Sequence, residues 1–252
     1  PSHFCHIADG GVGWAICSAV ANCNTLRGFS MDKEVRTAMT DLPAMRQPKQ
    51  DRSRVALERL MAASREILHE GTFELLTIAE ISKRSGVSVG SIYARFGGKE
   101  DLFIAVMMEV MQELDAEWQQ LIQQLHARNL PLRQRLPALM DVQAEYLRRH
   151  AGILRPFMAR ADDERVAGIG KAAYQKNEQT FIDQLLDAAA EIRHPEPEQA
   201  ARFCFTVSYA ALARFLGLGS AAEAAGEGDW EQLKRHLGMM CLSYLITPVE
   251  AG

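Results

Sequence analysis

The sequence predicts an all-α protein: a small N-terminal unit of three helices built around a helix-turn-helix, followed by a larger helical domain. Three observations carry this. Aromatic residues make up only 7% of the 252 residues, while Ala, Leu, Met, Glu and Gln abound, which favours helix over sheet. Apolar residues recur at three- and four-residue steps through most of the chain after Arg52. A Gly-Val-Ser turn at 86–88 separates two short amphipathic stretches. With 48% hydrophobic and 24% charged residues the composition is that of a globular protein, which excludes collagen-like, disordered and disulfide-scaffold classes. No apolar run approaches the roughly 18 residues a membrane helix needs, so no membrane partner is expected. The expected location is cytoplasmic.

Residues 1–45 are expected to form a disordered extension. Val12–Ala21 is apolar, but no basic start precedes it, which argues against a secretory signal. Cys5, Cys17 and Cys23 lack the close pairing of a zinc site. The next region, 46–98, is the expected helix-turn-helix domain. Residues 46–100 carry ten basic and seven acidic side chains, a net of +3, whereas 101–252 carry fifteen and twenty-one, a net of −6. A basic block beside an acidic remainder suits a module that binds a polyanion, attached to a part that does not.

Arg52–Glu70 reads as the first helix, with Val55, Leu60, Ala63, Ile67 and Leu68 on one stripe and Gly71 as a left-handed cap. Thr77 and Glu80 have capping-box spacing and start a second helix, Ile78–Ser85, expected to bury Ile78, Ala79 and Ile81. Gly86 then turns the chain, Val87 plugs the core and Ser88 caps a third helix, Val89–Phe96. Ile92 and Phe96 point inward there, which leaves Val89, Ser91, Tyr93, Ala94 and Arg95 open to a partner. A second helix that begins with small and polar residues is what a reader of the DNA major groove requires.

The run Thr77-Ile78-Ala79-Glu80-Ile81-Ser82, then Ser85-Gly86-Val87-Ser88-Val89-Gly90-Ser91-Ile92-Tyr93-Ala94-Arg95-Phe96 and Gly97-Gly98-Lys99-Glu100-Asp101-Leu102, closely resembles the DNA-binding signature of TetR/AcrR-type transcriptional regulators. The resemblance spans Arg52–Leu102; its one departure is Gly98, where the family usually has a Ser or Asn cap. Carried over by position, it makes Thr77, Tyr93 and Lys99 phosphate contacts, sets Val89, Gly90, Ser91 and Ala94 against base edges, and gives Arg95 to phosphate. Upstream, Arg46, Lys49, Arg52 and Arg54 form a basic arm suited to the DNA backbone or the minor groove.

Two enzyme-like patterns are discounted. Gly86-Val87-Ser88-Val89-Gly90 matches a nucleophile elbow, but that motif works only between a strand and a helix. The Gly168/Gly170 and Gly217/Gly219 pairs follow no strand. No catalytic residue, metal site or cofactor is assigned. A helical hydrolase using Ser88 and a dimeric scaffold without DNA recognition stay as alternatives.

The remaining helices, 99–252, are expected at Lys99–Ala127, Pro131–Arg149, Gly152–Ala159, Asp163–Ile192, Glu196–Leu216 and Trp230–Ile246. The last two are apolar on more faces than one chain's core requires. The resemblance implies a homodimer through a four-helix bundle, with Phe203, Val207, Ala211, Phe215, Leu237, Met240 and Tyr244 at the interface. It also implies a small-molecule cavity among the middle helices. Met107, Met111, Trp118, Tyr146, Phe157, Met158, Tyr174 and Phe181 are the wall candidates, and Gln143, His150, Arg155 and Asn177 the polar ones. The partners implied are double-stranded DNA with a near-palindromic operator and a small-molecule effector whose identity the sequence leaves open; repression follows the family's habit.

Overall fold

A computed structural model describes residues 48–219 and 225–248. The expected extension and Arg46 of the basic arm lie outside the described residues. Eight α-helices are present there: α1 (Pro48–Glu70), α2 (Ile78–Ser85), α3 (Val89–Tyr93), α4 (Lys99–His126), α5 (Leu132–Met158), α6 (Glu164–Leu186), α7 (Pro197–Phe215) and α8 (Trp230–Ile246). Short 3-10 turns occupy Phe73–Leu75 and Ala189–Glu191, and no strand occurs among the described residues.

The first three helices close around Leu60, Ile67, Leu68, Leu76, Ile81 and Ile92, all essentially without solvent contact. The stripe of α1 starts later than its sequence suggests, since Val55 and Leu57 are exposed. Gly71 is not in the left-handed region expected of a cap. Its lack of a side chain serves packing instead: Leu75 Cδ1 occupies the space a Cβ would need. Ala79 faces solvent at the start of α2, and Ser85 is buried at its end.

α5 is one helix where two were expected. Gly152, which suggested a break, lies inside it because the His69 ring of α1 sits 3.0 Å from where a Cβ would be. The glycine permits a close helix crossing. α6 is shorter than its apolar pattern. Asp163 caps its start by accepting from the Arg165 and Val166 amides. At its end the buried Arg135 of α5 donates to the Gln184 carbonyl at 3.0 Å and pairs with Asp187 at 3.4 Å, and the chain turns away after Leu186. α4 and α6 run parallel, tied by Asp101–Arg165 at 3.0 Å and, further along, by Asp115–Lys176 at 2.9 Å. α7 and α8 pack against each other, with each of the buried Cys204 and Cys241 thiols 3.9 Å from the other's carbonyl oxygen.

Candidate DNA-reading head and ligand cavity

The turn between α2 and α3 is held from inside. Gly86 has φ of 67°, the Ser82 hydroxyl donates to the Val87 carbonyl at 2.7 Å, and Ser85 Oγ accepts from the Val87 amide at 3.1 Å. Thr77 caps α2 by accepting from the Glu80 amide at 3.2 Å. The reciprocal half of the expected capping box is missing, because the Glu80 carboxylate takes Arg84 Nε at 2.8 Å instead. Ser88 caps α3 through the Ser91 amide at 3.3 Å, and the two serine hydroxyls share a hydrogen bond of 2.8 Å. Ser88 therefore follows a helix and a turn, not the strand that a nucleophile elbow needs.

α3 buries one side chain, Ile92. Ser88, Val89, Gly90, Ser91, Tyr93, Ala94 and Arg95 are all exposed, and so is Thr77. The helix ends at Tyr93, three residues earlier than expected, and a turn carries the half-buried Phe96 to the core. A short helix held by one anchor presents the rest of its surface outward. Arg95 is not free: it donates to the Ser53 carbonyl at 3.1 Å and hydroxyl at 2.8 Å, tying α3 to α1. Arg54 pairs with Glu58 at 2.7 Å, Arg52 is exposed, and the Lys49 side chain lies outside the described residues. Lys99 starts α4 behind Gly98, which offers no side-chain cap. Its ammonium lies 4.0 Å from the Phe73 ring centroid, and Arg160 approaches the same ring at 4.2 Å.

A cavity of about 710 Å³ opens among α4, α5 and α6, with Tyr209 of α7 closing one side. Met107, Met111, Tyr146, Phe157, Met158, Tyr174 and Asn177 line it as expected. Trp118 and Phe181 do not. Both are fully buried, Trp118 against Tyr146 and Phe181 against Phe205, about one helical turn beyond the last lining residues of α4 and α6. Periodicity identifies the inward face of a helix but not where along it the space ends. Three of the four polar candidates are also elsewhere: Gln143 accepts from Ser208 at 3.0 Å, His150 meets Glu117 at 2.9 Å, and Arg155 donates to the Leu216 carbonyl at 3.0 Å.

Sequence reading missed Asp115, Lys171 and Tyr209 in the wall. Asp115 continues the Met107–Met111 stripe at four-residue steps, and that was the available signal. Burial pushes the Tyr146 phenol above its usual range, and its hydroxyl donates to the Leu114 carbonyl at 3.1 Å.

On α7 and α8, Phe203, Met240 and Tyr244 are exposed, and Val207, Ala211 and Phe215 half-buried. Leu237 is a correction: at 6% exposure it packs into its own chain's core and presents nothing outward. Phe203 and Tyr244 lie with ring centroids 5.5 Å apart, bridging the two helices on the solvent side.

A helix-turn-helix with an open second helix, joined to a helical domain that encloses a cavity, defines a DNA-binding regulator. Residues 60–106 match the family model described as bacterial regulatory proteins, tetR family. The match runs from Leu60 in α1 to Val106 in α4 and takes in the whole helix-turn-helix. No curated protein sequence matches it. Among solved structures, it is similar to a TetR-family regulator from Syntrophomonas wolfei, at 11% identity and a TM-score of 0.59 over 78% of this chain and 98% of the other. A transcriptional regulator from Rhodococcus sp. Rha1 aligns at 22% identity and a TM-score of 0.54, over 75% and 94% of the two chains. The regulator FadR from Bacillus subtilis, solved in complex with stearoyl-CoA, aligns at 13% identity and a TM-score of 0.53, over 75% and 98%.

Proposed function

We propose that the protein is a cytoplasmic, ligand-responsive repressor that binds its operator as a homodimer. The observation that carries this is the exposed run Ser88–Arg95, in which Ile92 alone is buried. Val89, Gly90, Ser91 and Ala94 meet base edges in the major groove, while Thr77, Tyr93 and Lys99 meet phosphates and fix the register. Arg52 and Arg54 at the start of α1 add charge toward the backbone. The exposed Phe203, Met240 and Tyr244 form a patch that a second copy covers, and a two-fold axis there makes the operator near-palindromic. In this reading residues 46–98 are the DNA-binding domain and 99–252 the effector and dimerisation domain.

The effector occupies the cavity among α4, α5 and α6. Its wall is mostly apolar, and the likeness in fold to a FadR solved with stearoyl-CoA supports a helical domain of this shape holding an elongated apolar molecule. Selection from a random duplex library followed by a gel shift over a salt series tests the reading. A specific binder enriches a near-palindrome and loses affinity steeply with salt, as phosphate contacts release counterions. Failure to enrich any sequence rejects it.

A further inference from the structure

The chemistry of the cavity wall changes along its length. Because α4 and α6 run parallel and α5 returns beside them, the lining residues fall in order along one axis. The end beside the reading head is apolar, formed by Met107, Phe157, Met158 and Val166. The far end holds Asp115, Asn177, Tyr146, Tyr174 and Tyr209. Asp115 Oδ2 accepts from Lys176 at 2.9 Å, a lysine whose side chain is largely exposed. Asp115 Oδ1 is buried, and no donor among the described residues reaches it. The Asp115 side chain keeps 33% of its surface and lines the cavity, so a second donor can approach the carboxylate beside Lys176. Tyrosine rings surround this end, Tyr174 standing edge-on to Tyr209 with centroids 5.1 Å apart. Aromatic faces beside a carboxylate favour a cation. The other charged group of the wall, Lys171, is exposed and sits about one turn from Tyr174 toward the apolar end.

We infer that the cavity takes an apolar molecule bearing one ammonium group, with the ammonium against the Asp115 carboxylate among the tyrosines and the apolar body along Met107 and Phe157. The inference rests on the reading of this cavity as the effector site and adds the head-group chemistry to it. An anionic head would meet the Asp115 charge. A neutral hydroxyl would donate to the carboxylate but gain far less from its charge and nothing from the rings.

Calorimetric titration of the full chain with decylammonium, decanol and decanoate, each below its aggregation concentration, reads head-group preference at constant apolar length. Decylammonium is expected to bind at least roughly tenfold tighter than decanol, the effect of one charge-assisted hydrogen bond, with decanoate weakest. Asp115→Asn keeps the shape, removes the charge and should bring the amine-to-alcohol ratio close to one. Lys176→Met removes the cation competing for the same carboxylate and should tighten amine binding. Melting temperatures check that both variants fold. Equal or tighter binding of decanoate or decanol, no binding of any of the three, or an unchanged ratio in Asp115→Asn overturns the assignment. A gel shift with decylammonium separates this from the regulatory reading. Intact preference for the amine with unchanged DNA affinity upholds the head-group assignment while rejecting the amine as an effector.

Discussion

Ile92 anchors α3, and what the neighbouring side chains do follows from their distance from that anchor. Ser91 is exposed, and its hydroxyl is shared with Ser88 at 2.8 Å, so it is presented in a fixed orientation. Ser91→Ala is expected to change which base pairs are preferred, by about 1–3 kcal/mol at the affected position. Tyr93, 55% exposed at the end of α3, is a proposed phosphate contact. Tyr93→Phe should weaken binding to all sequences alike, by about 1 kcal/mol. Anisotropy titrations on the selected operator and on single-base variants distinguish the two, and a change in sequence preference from Tyr93→Phe would contradict the division of roles. Lys99, also a proposed phosphate contact, has a structural task as well, since its ammonium lies on the Phe73 ring. Lys99→Ala should flatten the salt dependence of binding by about one unit of slope and also lower stability by about 0.5–1 kcal/mol. Gly86 holds φ of 67°, so Gly86→Ala should destabilise the fold by about 1–2 kcal/mol, read as a lower urea midpoint.

Helices were legible where sequence carries both a stripe and a stop. α2 and α8 begin and end where Thr77, Gly86 and Trp230–Ile246 suggest, because caps and turn glycine are local signals. Gly152 misled because a glycine that admits His69 looks the same in sequence as one that ends a helix. The exposed face of α3 was legible for the same local reason, while the cavity was only half so. Trp118 and Asp115 are both on the inward face of α4, and only the tertiary arrangement shows that the space stops between them. α5 also carries a pH response. Burial lowers the His150 pKa, and the adjoining Glu117 opposes this without reversing it. The folded state therefore favours the neutral ring. Its contribution to stability is present above the unfolded value of about 6.5 and is lost as pH falls from there through the lowered folded value. Melting temperature should drop between pH 7 and 5, and the drop should be smaller in His150→Gln. Equal pH slopes in both proteins would remove His150 from the account.

At the scale of the whole molecule, the cavity and the reading head meet through a chain of three rings in edge-on contact. Phe157 lines the cavity, Phe103 of α4 stands edge-on to it at 5.4 Å, and Phe73 of the N-terminal unit stands edge-on to Phe103 at 4.9 Å. Lys99 at the start of α4 and Arg160 just after α5, both on the cavity side of the junction, hold the far ring. Two reading helices on a dimer enter successive major grooves only when spaced near one turn of DNA, roughly 34–36 Å. In the proposed regulation, a ligand that shifts Phe157 moves the base of α4 and with it the reading head, without touching DNA. It need only bind the misaligned dimer better than the aligned one, and coupling free energies of about 1–3 kcal/mol are typical. Phe103→Leu keeps the junction apolar but removes the ring contacts. It should leave ligand affinity in the absence of DNA, and DNA affinity in the absence of ligand, near their original values while reducing the factor by which each weakens the other. Calorimetric titration of a ligand with and without operator, in both proteins, measures that factor directly. Linkage requires it to be the same whether read from ligand or from DNA, so an unchanged factor in Phe103→Leu would mean that the signal leaves the cavity by another route.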